Sequence, residues 1–323
     1  MRLRTLAALA ALSVTALTAC GNTSGGGAAA GALKIMAPAN VGGGWDQTSR
    51  TAEQAFKSAD PSLKVEVYNV PGAGGTIGLA QLAGEKGNGK LLMTMGLVMV
   101  GAIEQNKSKV TLADTTPIAK LTEEYEIVVV PAESKLKTLA DLVAAWKANP
   151  KTVSIAGGSA GGTDHILAGL MAKAAGVDPK QLNYVANSGG GEALNLLLGN
   201  KATIGVSGIG EFAEQVKAGK LRALAVSSPE RLPNVDAPTI KEGGLDVTVA
   251  NWRGFVAPGG LDDAAKKSLT DLVTKMHDSQ AWKDAVAKNG WIDSFQTGDA
   301  FATYLSEEQT RVKAIIAEMG LVS

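Results

Sequence analysis

The sequence predicts an α/β protein of two domains, each a mainly parallel sheet flanked by helices. Three observations carry this. Short apolar stretches alternate with longer helix-spaced ones along most of the chain, the pattern of strand–helix–strand units. Glycine-rich loops join strand to helix at Val41-Gly42-Gly43-Gly44, Pro71 to Gly75, Gly157 to Gly162 and Ser188 to Gly191. About 290 residues follow the N-terminal signal-like stretch and its glycine-rich sequel, more than one hydrophobic core usually serves.

The chain opens with a basic Met1-Arg2-Leu3-Arg4, a largely apolar run from Leu6 to Ala16, and Leu17-Thr18-Ala19-Cys20. Residues 1–20 therefore resemble a bacterial lipoprotein signal, with Cys20 as the lipidated first residue of the mature chain. The apolar run is too short to span a bilayer. Residues 21–32, rich in Gly, Ala, Ser and Asn, read as a flexible tether, because they offer too little apolar surface to order themselves. Cys20 is the only cysteine, so the body is expected to have no disulfide and no thiolate chemistry. His165 and His277 are the only imidazoles, too few for a histidine zinc site. No metal and no cofactor is expected. Without Arg2 and Arg4 the chain holds 29 basic against 31 acidic residues, which gives no case for nucleic acid.

Four strand–loop–helix units are expected in the body. Leu33 to Pro38 leads through the first glycine loop into a helix from Trp45 to Lys57. Leu63 to Tyr68 leads into Thr76 to Ala83, Val153 to Ala156 into Thr163 to Ala175, and Leu182 to Val185 into Glu192 to Leu198. Further buried strands are expected at Leu91 to Met95, Ile127 to Val130, Thr203 to Val206, Leu221 to Val226 and Asn251 to Ala257. The continuously apolar Val128 to Pro131 and Gly254 to Pro258 read as two segments crossing between lobes. That sets lobe boundaries of 33–126 plus 259–323, and 127–258. Beyond Pro258 the chain reads as helical to its end.

The loops point to an anion. Glycine leaves backbone N–H groups bare, and a helix N-terminus adds a favourable dipole. In parallel sheets such loops lie beyond the carboxyl ends of the strands, where ligands bind. Asp46, opening the first helix, reads as a cap rather than a ligand contact. Trp252-Arg253 offers an aromatic wall and a guanidinium able to grip a carboxylate, or simply a salt bridge. His165, one turn into its helix, can donate to a carboxylate or pack.

Gly157-Gly158-Ser159-Ala160-Gly161 also matches the nucleophile elbow of a serine hydrolase. That chemistry needs a histidine downstream, and only His277 is available, at an expected solvated position on an amphipathic helix. The enzymatic alternative with Ser159 as nucleophile is thus the weaker reading, and the chain is read as a non-enzyme. Gly72 to Gly78 nearly fits a dinucleotide fingerprint, but Ile77 stands where the third glycine belongs.

Pro38-Ala39-Asn40-Val41-Gly42-Gly43-Gly44-Trp45-Asp46 and Asn69-Val70-Pro71-Gly72-Ala73-Gly74-Gly75-Thr76-Ile77-Gly78 resemble the two signature loops of the solute-binding proteins of tripartite tricarboxylate transporters. The resemblance continues through Gly158 to His165, Leu224 to Ser228, Arg231-Leu232-Pro233, Ala237-Pro238-Thr239 and Trp252 to Pro258. It implies a two-lobed periplasmic-binding fold of type II that closes on a small carboxylate, citrate or a dicarboxylate, and delivers it to two membrane subunits. A lipid-anchored monomer outside the cytoplasm is the expected form. A ligand-sensing lipoprotein serving a signalling partner shares the same pocket. In the family, the first loop and the glycine-serine loop of the other lobe hold the carboxylate. Carried over, these are Asn40, Val41, Gly42, Gly43, Gly44 and Trp45, and Ser159, Ala160, Gly161, Gly162 and Thr163. Gly74, Gly75, Thr76, His165, Ser188, Gly189 and Arg253 complete the expected site. Asn40-Val41 departs from the glycine or proline-glycine pair of many relatives, and Val185-Ala186-Asn187 from their proline-tyrosine-lysine run.

Overall fold

A computed structural model describes residues 32–187, 189–233 and 235–321. The export segment with Cys20, tether residues 21–31 and Ser188 lie outside the described residues. Among the described residues, no helix is long and apolar enough to cross a membrane.

The chain runs β1 (Leu33–Ala37), α1 (Gly44–Ala59), β2 (Val65–Asn69), α2 (Thr76–Ala83), β3 (Leu91–Gly96), α3 (Leu97–Gln105) and β4 (Thr115–Pro131). It continues with α4 (Leu139–Ala148), β5 (Ser154–Gly157), α5 (Thr163–Ala174), β6 (Asn183–Ala186), α6 (Gly190–Leu198), β7 (Ile204–Gly208), α7 (Ile209–Lys217) and β8 (Leu221–Val226). It ends with β9 (Ala250–Pro258), α8 (Asp263–Asp278), α9 (Gln280–Asn289), β10 (Ile292–Thr297) and α10 (Gly298–Glu318).

The strands form a mixed sheet in two halves that share β4. In the first half the order is β2-β1-β3-β9-β4, with β10 also on β4. In the second, β4 carries β8 and β7, and β5 and β6 follow. The pairs β1–β2, β1–β3, β5–β6 and β5–β7 are parallel. All pairings of β4 and β9 are antiparallel, so the sheets are mixed where mainly parallel ones were expected. The strands paired in parallel each lead into a helix that crosses back over the sheet, while every antiparallel pairing involves one of the two long strands, β4 or β9.

β4 passes from one half to the other without a break. Residues Thr115 to Tyr125 pair with β9, and Glu126 to Pro131 pair with β7 and β8. β9 pairs along its length with β3 and β4 in the first half. Gly254 to Pro258 is thus an interior strand of that half, where a crossing segment was expected. The C-terminal stretch read as all-helical contains β10, isolated by Gly290 and Gly298, both left-handed.

Burial on both faces explains the continuous apolar runs. Ile35, Leu92 and Phe255 face α1, α8 and α9, while their neighbours Met36, Met93 and Val256 face a central core. In β4, Val128 and Val130 point into that central core, while Ile127 and Val129 point at α6 and α7. The central core continues from Trp45 and Leu97 of the first half to Trp146, Ile166 and Ile204 of the second.

Candidate functional site

The first loop is held from within. Asp46 is buried and accepts hydrogen bonds from the Gly42 amide (2.8 Å), Arg50 Nε and Asn69 Nδ2 (2.8 Å). Burial raises its pKa, but the bonds from Arg50, Gly42 and Asn69 outweigh this and leave it below the usual carboxylate range. The Gly43 amide donates to the Asn40 carbonyl (3.0 Å). Gly42 and Gly43, expected to offer amides outward, therefore spend them inside the loop. The first-turn amides of α1, at Gly44, Trp45 and Asp46, have no intrahelical acceptor. Asn40, Val41, Gly42 and Gly44 are exposed, whereas Trp45 is buried against Gly75 and Met99. Its indole is part of the central core.

The second loop is built by conformation. Gly74 and Gly75 take left-handed angles, and Thr76 Oγ1 donates to the Ala73 carbonyl (2.9 Å). Gly74 lies against Ala102, and Gly75 against Met99 and Trp45. This loop shapes the surroundings of the first loop through α3.

The glycine-serine loop of the second half follows the same internal economy. The Gly158 amide donates to Asp164 (2.6 Å), Gly161 to His165 Nδ1 (3.1 Å) and Gly162 to the Ser159 carbonyl (2.9 Å). Gly161 has φ of 71°, which disfavours any side chain there. The amides of Ser159 and Ala160, and that of Thr163 at the first turn of α5, take no part in these bonds. Thr163 Oγ1 is buried and has no hydrogen-bond partner. Gly189, before α6, approaches Gly158: its Cα is 4.0 Å from where a Cβ on Gly158 would sit.

The helix α3 brings the two halves together. Gly161 and Gly162 of the second half pack on Gly101, Gln105 and Val98, while Gly74 and Gly75 of the first pack on Ala102 and Met99. Sequence reasoning missed this helix. Gly96, closing β3 before a second apolar run, was the available sign.

His165 is buried and stacks on Tyr184, with ring centroids 3.9 Å apart. Burial pushes its pKa down to about 4, so the ring is neutral and Nδ1 accepts. His277, expected to be solvated, is buried between Asp278 and Asp293 and stacks on Phe295. Arg253 is also buried. Its Nη2 pairs with Glu124, and its guanidinium lies directly under Gly44.

Behind the glycine-serine loop lie acids that the sequence reading did not single out. Burial, with the charge of Glu211, pushes Asp164 up to about 7, and burial with Asp164, Glu124 and Glu211 pushes Glu126 well up. The linkage signs are opposite for Asp164 and His165. A raised carboxyl pKa costs stability as pH rises from about 4 through 7; a lowered imidazole pKa costs stability as pH falls from 6.5 toward 4. Glu126 shifts in the same direction as Asp164, so thermal midpoints measured across pH are expected to fall from about pH 4.5, gently up to 6.5, where His165 offsets part of the loss, and most steeply from 6.5 to 7. Asp164→Asn is expected to flatten the upper fall; a fall of equal size in that variant would exclude Asp164 as its source.

Two surface cavities of about 550 and 410 Å3 lie elsewhere. One is lined by Ala59, Asp271 and Lys275, the other by Glu133, Ser154 and Lys201. Neither includes a loop residue of the expected site. Among the described residues no group of three metal-ligating side chains converges.

Residues 52–321 match the model of the tripartite tricarboxylate transporter family receptor, TctC. The chain belongs to the TctC receptor family. Relatives include a UPF0065 protein of Agrobacterium vitis, 28% identical over 89% of this chain and 84% of that protein, and BugT of Bordetella pertussis, 26% identical over 89% of each. Among solved structures, a TctC solute-binding protein from Polaromonas is 25% identical with a TM-score of 0.71, covering 88% of this chain and 98% of that one. MatC from Rhodopseudomonas palustris, solved with bound malate, is 24% identical with a TM-score of 0.75 over 88% of this chain and 98% of its own. An R. palustris protein solved with adipate shares the fold at 19% identity and a TM-score of 0.78, over 90% and 97% of the chains. The TctC receptors thus share this chain's α/β fold of mixed sheet and flanking helices.

Proposed function

We propose that this chain is an extracytoplasmic receptor that takes a small carboxylate between its two half-sheets and presents it to the membrane subunits of a tripartite tricarboxylate transporter. Cys20 is its lipid anchor on the outer side of the cell membrane. The observation that carries the reading is the pair of first turns, in α1 and α5, whose amides have no intrahelical acceptor, joined by the unpartnered buried hydroxyl of Thr163. Asn40, Val41, Gly44 and Trp45 contribute backbone from the first loop; Ser159, Ala160 and Thr163 contribute from the second half. Gly42, Gly43, Gly161, Gly162, Gly74, Gly75 and Thr76 fix the loop shapes, and Gly189 borders them. The lobes divide where β4 changes partners near Glu126, and again before Ala250. Because a carboxylate shared by both first turns is bound fully only when the lobes approach, its binding energy favours the shut form. Each charge-assisted bond contributes about 1.5–3 kcal/mol, so a few suffice for micromolar affinity once ordering costs are met. Malate and adipate in solved relatives support the carboxylate class.

Calorimetry of the mature protein against mono-, di- and tricarboxylates tests this. At least one is expected to bind at micromolar concentration; silence from all of them at millimolar concentration would reject it. Thr163→Val is expected to weaken that binding about tenfold, or about 1.4 kcal/mol, while leaving the melting temperature unchanged or raised, since the hydroxyl has no partner to lose.

A further inference from the structure

We infer that the end of the second half-sheet remote from the glycine loops docks on an anionic phospholipid surface. This goes beyond the receptor reading: it depends on export and on the anchor at Cys20, and not on which ligand is bound. The strands β5, β6, β7 and β8 all begin at that end, and β4 finishes there, since Pro131 stands opposite Leu221 and Val129 opposite Gly205. Five stretches are thereby gathered on one surface, 132–137, 147–153, 178–182, 199–203 and 217–220.

These stretches are rich in lysine. The one after β4 carries Lys135 and Lys137, and the one before β5 carries Lys147 and Lys151. Lys180, Lys201, Lys217 and Lys220 stand before β6, β7 and β8. All eight are exposed, and among the described residues none of them forms a salt bridge. The same stretches hold two acids, Glu133 and Asp178, and Asp178 caps the Lys180 amide at 3.0 Å. Asp141, bound to the Lys137 and Thr138 amides, and Glu214, in the last turn of α7, flank the patch. The remainder of the body holds 21 basic against 29 acidic residues, so a nearly neutral molecule is strongly polarised. The C-termini of α4, α5, α6 and α7 also converge here, each worth about half a negative charge, which removes only part of the excess.

The chemistry of the patch selects its partner. Protein interfaces draw on arginine and aromatic side chains and are poor in lysine. The five stretches contain neither arginine nor an aromatic residue. The neighbouring Arg222 gives its guanidinium to the carbonyls of Ala132, Ser134 and Leu136. Hydrated ammonium groups on flexible stems suit a diffuse layer of lipid phosphates. Leu198, one of three large apolar side chains exposed among the described residues, precedes Gly199-Asn200-Lys201 and is placed to enter the headgroup layer. The cavity of about 410 Å3 opens between the ends of β4, β5 and β7. Ser134, Ser154, Asn200, Lys201 and Thr203 line it with donors for a phosphate, and Glu133 lines it too. Docking here leaves the glycine loops clear, because they follow the carboxyl ends of β5 and β6 while the patch lies at the amino ends.

Cys20→Ser in the mature chain removes the lipid, so that any membrane binding comes from the body. This variant is sedimented with vesicles of phosphatidylcholine alone, and of phosphatidylcholine with about one-third phosphatidylglycerol, at about 0.1 M and about 1 M salt. At the lower salt the anionic vesicles are expected to bind at least tenfold more protein than the neutral ones, and high salt to abolish the difference. In the same background, Lys135→Gln, Lys151→Gln, Lys201→Gln and Lys220→Gln combined are expected to lower binding at least tenfold. Lys34→Gln, Lys64→Gln, Lys86→Gln and Lys283→Gln combined change the net charge equally in the first half, and are expected to leave binding within about twofold. Melting curves confirm that both variants fold. Equal binding to the two kinds of vesicle, or equal losses in the two variants, overturns the inference. So does a body that ignores lipid vesicles but binds vesicles holding the transporter's membrane subunits, since the patch would then serve a protein. No outcome involves a carboxylate, so the receptor reading is tested separately.

Discussion

Gly101→Val is expected to reduce carboxylate affinity at least a hundredfold, equivalent to about 2.7 kcal/mol. A Cβ at Gly101 would collide with the carbonyl oxygen of Gly161 and meet Ile166 Cδ1 at 3.4 Å. The struck atom belongs to the backbone of the proposed binding loop. It cannot rotate away as a side-chain tip would. Nor can α3 retreat, since Leu97, Met99, Val100 and Ile103 are buried in the central core. The loop must therefore move, and with it the amides of Ser159, Ala160 and Thr163. The stability cost of such overpacking is about 1–3 kcal/mol, so the protein is expected to remain folded while its binding fails. Gly210→Ala supplies the control, because a Cβ there meets nothing within 4 Å. Calorimetry showing the valine variant within threefold of the native protein would mean that the α3 contact does not set the loop.

Trp252→Ala is expected to destabilise the protein by about 3–5 kcal/mol. Trp252 is fully buried on β9, and its indole Nε1 donates to Glu308 of α10 at 3.0 Å. Phe301 and Tyr304, also of α10, meet the ring edge-on at centroid distances of 6.1 and 5.4 Å. Arg311 keeps Glu308 paired in the variant, so the loss comes mainly from the cavity and the missing aromatic contacts. Strand alternation puts the neighbouring Arg253 on the opposite face, under the first loop. The substitution therefore loosens α10 without directly touching the loop. Guanidinium unfolding checks the magnitude, and a change below about 1 kcal/mol would show that α10 is held by other contacts.

The strand–loop–helix units were legible because glycine loops bracket them and their helices are amphipathic. The expected helix at Thr76 to Ala83 and the expected strand at Leu221 to Val226 stand with those bounds. By contrast, α3 hid because Leu97 to Ile103 is apolar throughout and has no capping residue; burial from several sides overrides its strand-like composition. The first part of β4 hid behind Pro117 and the charged Glu123-Glu124 pair, and β10 behind the helices on either side. At the site, the loops themselves were readable from their glycines. Which amides they keep for themselves was not, since that depends on Asp46, Asp164 and His165 folding back onto them. The acids could not be grouped from sequence either: the β4–β7 register and the turn into α5 assemble residues 124, 126, 164 and 211.

The late return of β9 has a bearing on how the polypeptide acquires its shape. Met93 to Gly96 of β3 and Thr115 to Tyr125 of β4 both wait for a partner strand that begins only at Ala250. Until it arrives, two strand edges stand unpaired, open to pairing with other molecules. Fragments ending before Ala250 are therefore expected to aggregate, and the intact chain to fold slowly, limited by the search that closes this long-range gap.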